Sequence, residues 1–165
     1  MPTVNMTNRV GVTAFTTPSD REFVMTRVFD APRRLVFEAW TSPEHLPHWL
    51  LGPSGWTMPV CEIDLKPGGT WHFVWRQSDV NEMGMQGVYR EISPPERLVF
   101  TESWGGDWPE TLNTLILSEV DGKTTMTLTV LYPSREARDA ALKTGMKDGV
   151  SVSFDRLAEH LRTMA

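Results

Sequence analysis

The sequence predicts an α+β domain in which a curved antiparallel β-sheet closes around one long C-terminal helix, with two short helices after the first strand. Three observations carry this. Alternating, β-rich segments follow one another from residue 56 to residue 132, each ended by turn residues. Two short helical stretches interrupt the chain between the first of its strands and the rest. The last stretch, Met146 to about Met164, places Met146, Val150, Phe154, Leu157 and Leu161 on one stripe. A sheet with polar-out alternation needs one face covered, and that helix is the one element large enough to cover it. A chain of 165 residues suits one such domain, which buries roughly 70% of its unfolded surface.

Residues 1–20, rich in Thr, Asn, Pro and Ser, read as a flexible leader, and 21–165 as the domain. Glu22–Phe29 alternates, with Phe23, Met25, Arg27 and Phe29 on one side. Asp30 with Pro32 signals a helix start, Asp30 as cap and Pro32 in the first turn. Leu35, Val36, Ala39 and Trp40 then recur at helical spacing until Thr41-Ser42-Pro43. A second short helix is expected from Pro43 to about Trp49, capped by Ser42. After the turn at Gly52–Gly55, strands are expected over 56–65, around Trp71–Trp75, over Met85–Ile92 after a polar loop near Ser78–Gly84, and over Arg97–Trp104. Thr111–Glu119 and Lys123–Tyr132 form a hairpin about Asp121-Gly122. Ser134 caps a helix reaching Thr144, and Gly145 separates it from the last one.

Net charge is −5 with no block of one sign, which argues against a nucleic-acid surface. Arg135–Asp139 mixes signs and reads as a solvated helix face. No apolar run approaches the roughly 20 residues that span a bilayer. The single cysteine, Cys61, forms no internal disulfide, and Met1 is followed by no signal-peptide pattern. Together these place the protein in the cytoplasm.

Candidate chemistry is sparse. His45 and His48 share a helical face, but Pro47 interrupts it, no third ligand is near in sequence, and His72 and His160 lie elsewhere; surface or capping roles are expected and no metal. Cys61 lies on the apolar side of its strand and reads as a small hydrophobe rather than a nucleophile. Gly68-Gly69 and Gly105-Gly106 lack the context of a phosphate cradle, and no catalytic triad is visible. The seven tryptophans, at 40, 49, 56, 71, 75, 104 and 108, are more informative. Indole is large and carries an N–H that needs a partner, so it suits the wall of a partly polar pocket; filling a sheet core is the alternative. Trp71, Phe73 and Trp75 share one strand face. If Phe100 and Trp104 point inward, so does Glu102, whose carboxyl then has a raised pKa and orients a ligand or acts as an acid/base. The alternatives turn Glu102 outward or pair it with Arg76 or Arg90. Gly145 and Gly149, four apart, suggest a kink or space left toward the sheet.

Seven segments, in order, resemble the activator-of-heat-shock-ATPase-homologue family of the SRPBCC (START, birch-pollen-allergen-like) superfamily. They are Arg27–Pro32 (RVFDAP), Val36–Thr41 (VFEAWT), Pro43–Leu46 (PEHL) with Trp49, Cys61–Gly69 (CEIDLKPGG), Gly87–Ile92 (GVYREI), Pro95–Glu102 (PERLVFTE) and Gly145–Gly149 (GMKDG). The resemblance implies the helix-grip fold, with a deep pocket between sheet and long helix that binds lipids, steroids, polyketides or similar molecules. It does not carry a co-chaperone activity across. Leu50-Leu51, where many relatives have a second Trp before Gly-Pro, and Val150, often aromatic in relatives, alter the pocket. The expected function is binding of a small apolar or amphipathic ligand, without cofactor. The expected lining is Trp40, Trp49, Trp56, Trp71, Phe73, Trp75, Tyr89, Glu102, Trp104, Met146, Val150 and Phe154. A cyclase- or hydrolase-like enzyme and a chaperone-assisting interaction module are the alternatives, and dimerisation through a sheet edge stays open.

Overall fold

A computed structural model describes residues 10–165. Its elements, in chain order, are β1 Ala14–Thr16, β2 Glu22–Phe29, α1 Arg33–Thr41, α2 Leu46–Trp49, β3 Thr57–Ile63, β4 Thr70–Gln77, β5 Asn81–Ser93, β6 Arg97–Glu102, β7 Thr111–Val120, β8 Lys123–Leu131, α3 Arg135–Leu142 and α4 Met146–Met164. The eight strands form one sheet in the order β1-β2-β8-β7-β6-β5-β4-β3, every neighbouring pair antiparallel. The curved sheet wraps α4, giving the α+β helix-grip architecture.

Alternation fixes which side chains meet α4, because successive residues of a strand point to opposite faces. Phe23, Phe29, Leu115, Leu117 and Met126 from the sheet are buried with Trp49, Phe154 and Leu157 from the helices, each at 1% exposure or less. Arg27 lies in the same inner row. Its guanidinium, 4% exposed, reaches Asp155 of α4 at 2.7 Å and lies 5.4 Å from the Phe29 ring. This buried cation ties helix to sheet and is held to its register by the single acid that faces it.

Four local expectations need correction. Asp30 does not cap α1; the cap position is Pro32, in extended backbone with no side-chain cap bond, because proline's ring already sets φ near its helical value. Residues 43–45 form a turn and only Leu46–Trp49 is helical; Ser42 Oγ accepts from the Glu44 N–H at 3.3 Å rather than capping a longer helix. Part of the stretch read as leader is a strand: Ala14–Thr16 pairs with β2, Phe15 opposite Met25, and the Phe15 ring stacks on Phe23 at 5.6 Å. Residues 1–9 lie outside the described residues. The loop expected over Ser78–Gly84 is shorter, since β5 begins at Asn81.

Other signals read as expected. Asp121 and Gly122 both take positive φ in the β7–β8 turn, the backbone that suits a two-residue hairpin. Ser134 accepts from the Ala137 N–H at the start of α3. Gly145 takes φ 79° before α4, a conformation that costs glycine little. At the free edge, β3 carries Pro59 and a register shift between Thr57 and Val60.

Candidate functional site in the helix-facing interior

Several interior polar groups share a row that runs from β4 across β5, β6 and β7 to the residue just past β8. Trp71 pairs with Gly87, and the Gln86–Ser103 bridge sets Gly87 beside Glu102. Glu102 pairs with Thr111, and the β7–β8 register brings Thr111 beside Tyr132, one step beyond Leu112 and Leu131. The neighbouring row sets Tyr89 opposite Phe100 and Phe100 opposite Asn113. Thr111, Asn113 and Tyr132 are buried, and the Asn113 amide donates to Thr111 Oγ1 at 3.0 Å. The Tyr132 hydroxyl contacts Met146 Sδ of α4 at 3.9 Å.

Gly87 makes room for this row. A Cβ there would lie 2.7 Å from Cε2 and Cζ2 of Trp71 and 1.8 Å from the Thr101 carbonyl oxygen. The indole therefore lies over the glycine. Its Nε1, bonded to Cε2, is buried without an acceptor, and so is Nε1 of Trp40. A buried donor left unpaired costs about 1–3 kcal/mol, so two in one apolar interior call for an explanation. Trp49 and Trp75 are satisfied by the carbonyls of Ala39 at 3.0 Å and Leu50 at 2.6 Å.

The Glu102 carboxyl, partly buried, accepts from the Trp104 indole at 2.8 Å. Burial pushes its pKa up to about 7, the Trp104 N–H pulling the other way. Tyr132 is pushed up to about 12, by burial first and then by the charge of Glu102. Tyr89 is raised too, by burial and then Cys61. Arg76, weighed as a partner for Glu102, pairs with Glu82 at 2.9 Å.

A raised acid stabilises the fold only while protonated. The contribution of Glu102 is thus complete below the ordinary value of 4.5 and is lost as pH rises through about 7. Melting curves from pH 4.5 to 8.5 are expected to fall in the wild type over that window and to stay flatter in Glu102→Gln. Equal falls in both proteins would remove Glu102 from this role.

Most of the anticipated lining residues converge. Trp49, Trp71, Phe73, Trp75, Tyr89 and Phe154 are buried, and Trp40, Trp56, Met146 and Val150 pack against them. Trp40 meets Trp49 edge-on at 5.1 Å and Phe154 at 6.3 Å. Trp104 differs, being 40% exposed. Ser103 makes the last bridge to β5 and Gly105 turns at φ 80°, so strand parity ends there. Its indole stacks on Trp75 from outside at 5.7 Å. Gly149 faces the turn rather than the sheet, a Cβ there coming 3.6 Å from Pro53. Thr111, Asn113 and Tyr132 were missed, although the alternation Thr111, Asn113, Leu115, Leu117 carried the signal for two of them.

In the space between sheet and α4, where a deep pocket is expected, these rings pack on one another. Two shallow hollows of about 260 and 270 Å³ lie elsewhere, one along Glu62–Asp64, Thr70 and His72, the other around His72, Gly84–Gln86 and Ser103–Gly105. Burial pushes the Cys61 thiol up to about 11, so it is not a thiolate near neutrality. No group of three metal-ligating residues with an arrangement able to hold an ion occurs among the described residues. No helix there is long and apolar enough to cross a membrane.

This arrangement, a curved sheet gripping a long helix around an aromatic interior with a short polar row, defines a START-like helix-grip domain. The profile of the family described as Activator of Hsp90 ATPase homolog 1-like protein matches residues 30–162, and the chain belongs to that family. A crystal structure from Rhodobacter sphaeroides is 30% identical, with a TM-score of 0.86 over 93% of this chain and 100% of that one. A Nitrosomonas europaea crystal structure, 22% identical, gives 0.79 over 90% and 98%. A Staphylococcus epidermidis solution structure, 23% identical, gives 0.78 over 90% and 94%. The last two speak for the fold alone. Among curated proteins none matches.

Proposed function

We propose that the chain binds a small apolar or amphipathic molecule between the sheet and α4. The observation that carries this reading is the pair of buried, acceptorless indole N–H groups of Trp40 and Trp71. Such donors suit a ligand with an oxygen acceptor at one end and an apolar body against Phe73, Phe100 and Phe154. Protonated Glu102 adds a donor to the same row, so uncharged oxygen, as in a ketone or phenol, is favoured over a carboxylate. The family's helix-grip fold, known for ligand cavities, supports the reading. Entry requires the rings to part, which places ligand uptake on local opening rather than on a standing hole. The lone Cys61 suits a reducing compartment, and we place the protein in the cytoplasm on that ground.

A second reading, a cyclase- or hydrolase-like enzyme, draws on the presence of a carboxyl, Glu102, and a hydroxyl, Tyr132, in one row with Thr111 between them. Native mass spectrometry of the purified protein, with a thermal-shift screen of steroids, aromatic ketones and fatty acids, separates these. A bound mass or a dose-dependent rise in Tm is expected with the uncharged compounds. Trp71→Phe, which keeps a ring but deletes the donor, is expected to weaken binding about 2- to 10-fold. Turnover of a bound compound, lost in Glu102→Gln, would favour the enzyme. No retained mass and no shift with any class would sink the binding reading.

A further inference from the structure

Folding brings together three histidines that the sequence keeps apart. His45 Nδ1 lies 2.9 Å from His160 Nε2, linking the start of α2 to the last turns of α4. The His48 ring stacks on His160 with centroids 5.0 Å apart and planes 9° from parallel. On the far side of the cluster, the Glu38 carboxylate of α1 lies 3.7 Å from His45 Nε2. Other charged neighbours do little to neutralise the group. Arg156, one turn before His160, is a cation whose guanidinium donates to the Gly52 carbonyl. Glu44 and Glu159 are exposed. On β3, which also packs against α2, Glu62 turns to His72 and Cys61 is a neutral thiol.

In the closed cluster His45 donates through Nδ1 to an unprotonated His160 Nε2, with the Glu38 carboxylate near its other ring nitrogen. A proton on His160 removes that acceptor and sets two N–H groups against each other in a site with one carboxylate. We propose that His45, His48 and His160 form an acid-sensitive latch that holds α2 against α4 and releases it when His160 takes up a proton.

The consequence follows from what α2 leads into. Leu50 gives its carbonyl to Trp75 Nε1, and the Gly52 N–H donates to Ser153 Oγ of α4 at 2.8 Å. Trp49 itself packs on Trp40 and Phe154. Releasing α2 therefore opens one wall of the helix-facing interior, so the functional meaning of the latch rests on the binding reading above. The direction of the pH effect agrees with the environment. Burial, then His45, then His48 hold the His160 pKa below its ordinary value of 6.5. The closed state is thus complete above about pH 6.5 and is lost as pH falls through the lowered value.

The test is a titration of uniformly 15N-labelled protein from pH 7.5 to 5, in EDTA, followed by amide spectra and by Nile red fluorescence. Amides of residues 44–52 and 156–161 are expected to move together with one midpoint below 6.5, matched by the His160 ring. In His160→Gln, whose side chain does not titrate, that joint transition is expected to vanish. His48→Gln, which keeps the His45–His160 bond but removes a neighbouring charge, is expected to raise the midpoint. The same transition persisting in His160→Gln would overturn the latch, as would a His160 ring that titrates while the α2 amides stay still. Nile red uptake is expected to rise severalfold across the step. An amide transition without dye uptake would leave the latch standing and overturn its link to the interior.

Discussion

Gly87→Ala is expected to leave the protein unable to fold, or destabilised by about 4 kcal/mol or more, which places it in the exceptional tail of single substitutions. The new methyl would sit 1.8 Å from the backbone oxygen of Thr101 and 2.7 Å from the Trp71 ring. A flexible side chain moves aside at small cost, but a ladder carbonyl does not, and Trp71 is itself 3% exposed and walled in by Phe73 and Phe100. Relief would need the β5–β6 ladder to part where the polar row crosses it. Gly84→Ala on the same strand is the control. Its Cβ would meet Phe73 O at an ordinary 3.8 Å, and an effect within about 1 kcal/mol is expected. Soluble yield, circular dichroism and urea denaturation of the two variants decide the matter. A Gly87→Ala protein with wild-type stability would show that Trp71 does not lie over this position.

Phe154→Ala is expected to cost about 3–5 kcal/mol, the range for emptying a well-packed phenylalanine site. Phe154 is 1% exposed and its ring is bounded by Phe29, Trp40 and Trp49, all at 6.3–6.4 Å between centroids. Three large rings on rigid elements collapse poorly into the space released, which keeps the cost at the upper end. Val152→Ala, two residues away and 37% exposed, is expected to change stability by about 0.5 kcal/mol or less. Urea midpoints with unchanged slopes provide the measurement. The variant also bears on function, since a void beside Trp40 should admit a small apolar probe more readily than the wild type does. Tighter probe binding at reduced stability is the expected pairing; a loss of stability near that of Val152→Ala would mean that α4 is not seated on these rings.

The fold was legible where its signals are local. The alternation of Glu22–Phe29, the Asp121-Gly122 turn, the Trp71–Phe73–Trp75 face and the α4 stripe each lie within a single element or turn, and each was read correctly. The site was legible only in part, because it is made by register. Glu102 shares a row with Thr111 and Tyr132 through pairings between neighbouring strands, and no single segment holds that row. The special place of Gly87 comes from Trp71 of the neighbouring strand, which lies over it and leaves no trace in the segment around the glycine. His45 and His160 are 115 residues apart, so their contact had no local trace. β1 was missed because its contribution is one phenylalanine stacked on another, within a stretch whose composition favours loops. Trp104 lies past the last bridge of its strand, where the two-residue rule no longer sets the direction of a side chain.

The outer edge of the sheet has a bearing on how this chain survives crowding. A bare strand edge offers a row of unpaired amides on which another molecule's strand can grow, the first step toward fibrils. β3 withholds one of those amides at Pro59, breaks the even ladder between Thr57 and Val60, and presents Glu62 nearby. Strand addition from a neighbouring copy is thus frustrated at that end of the sheet. A domain so rich in tryptophan would otherwise be a ready seed for aggregation whenever its grip loosens.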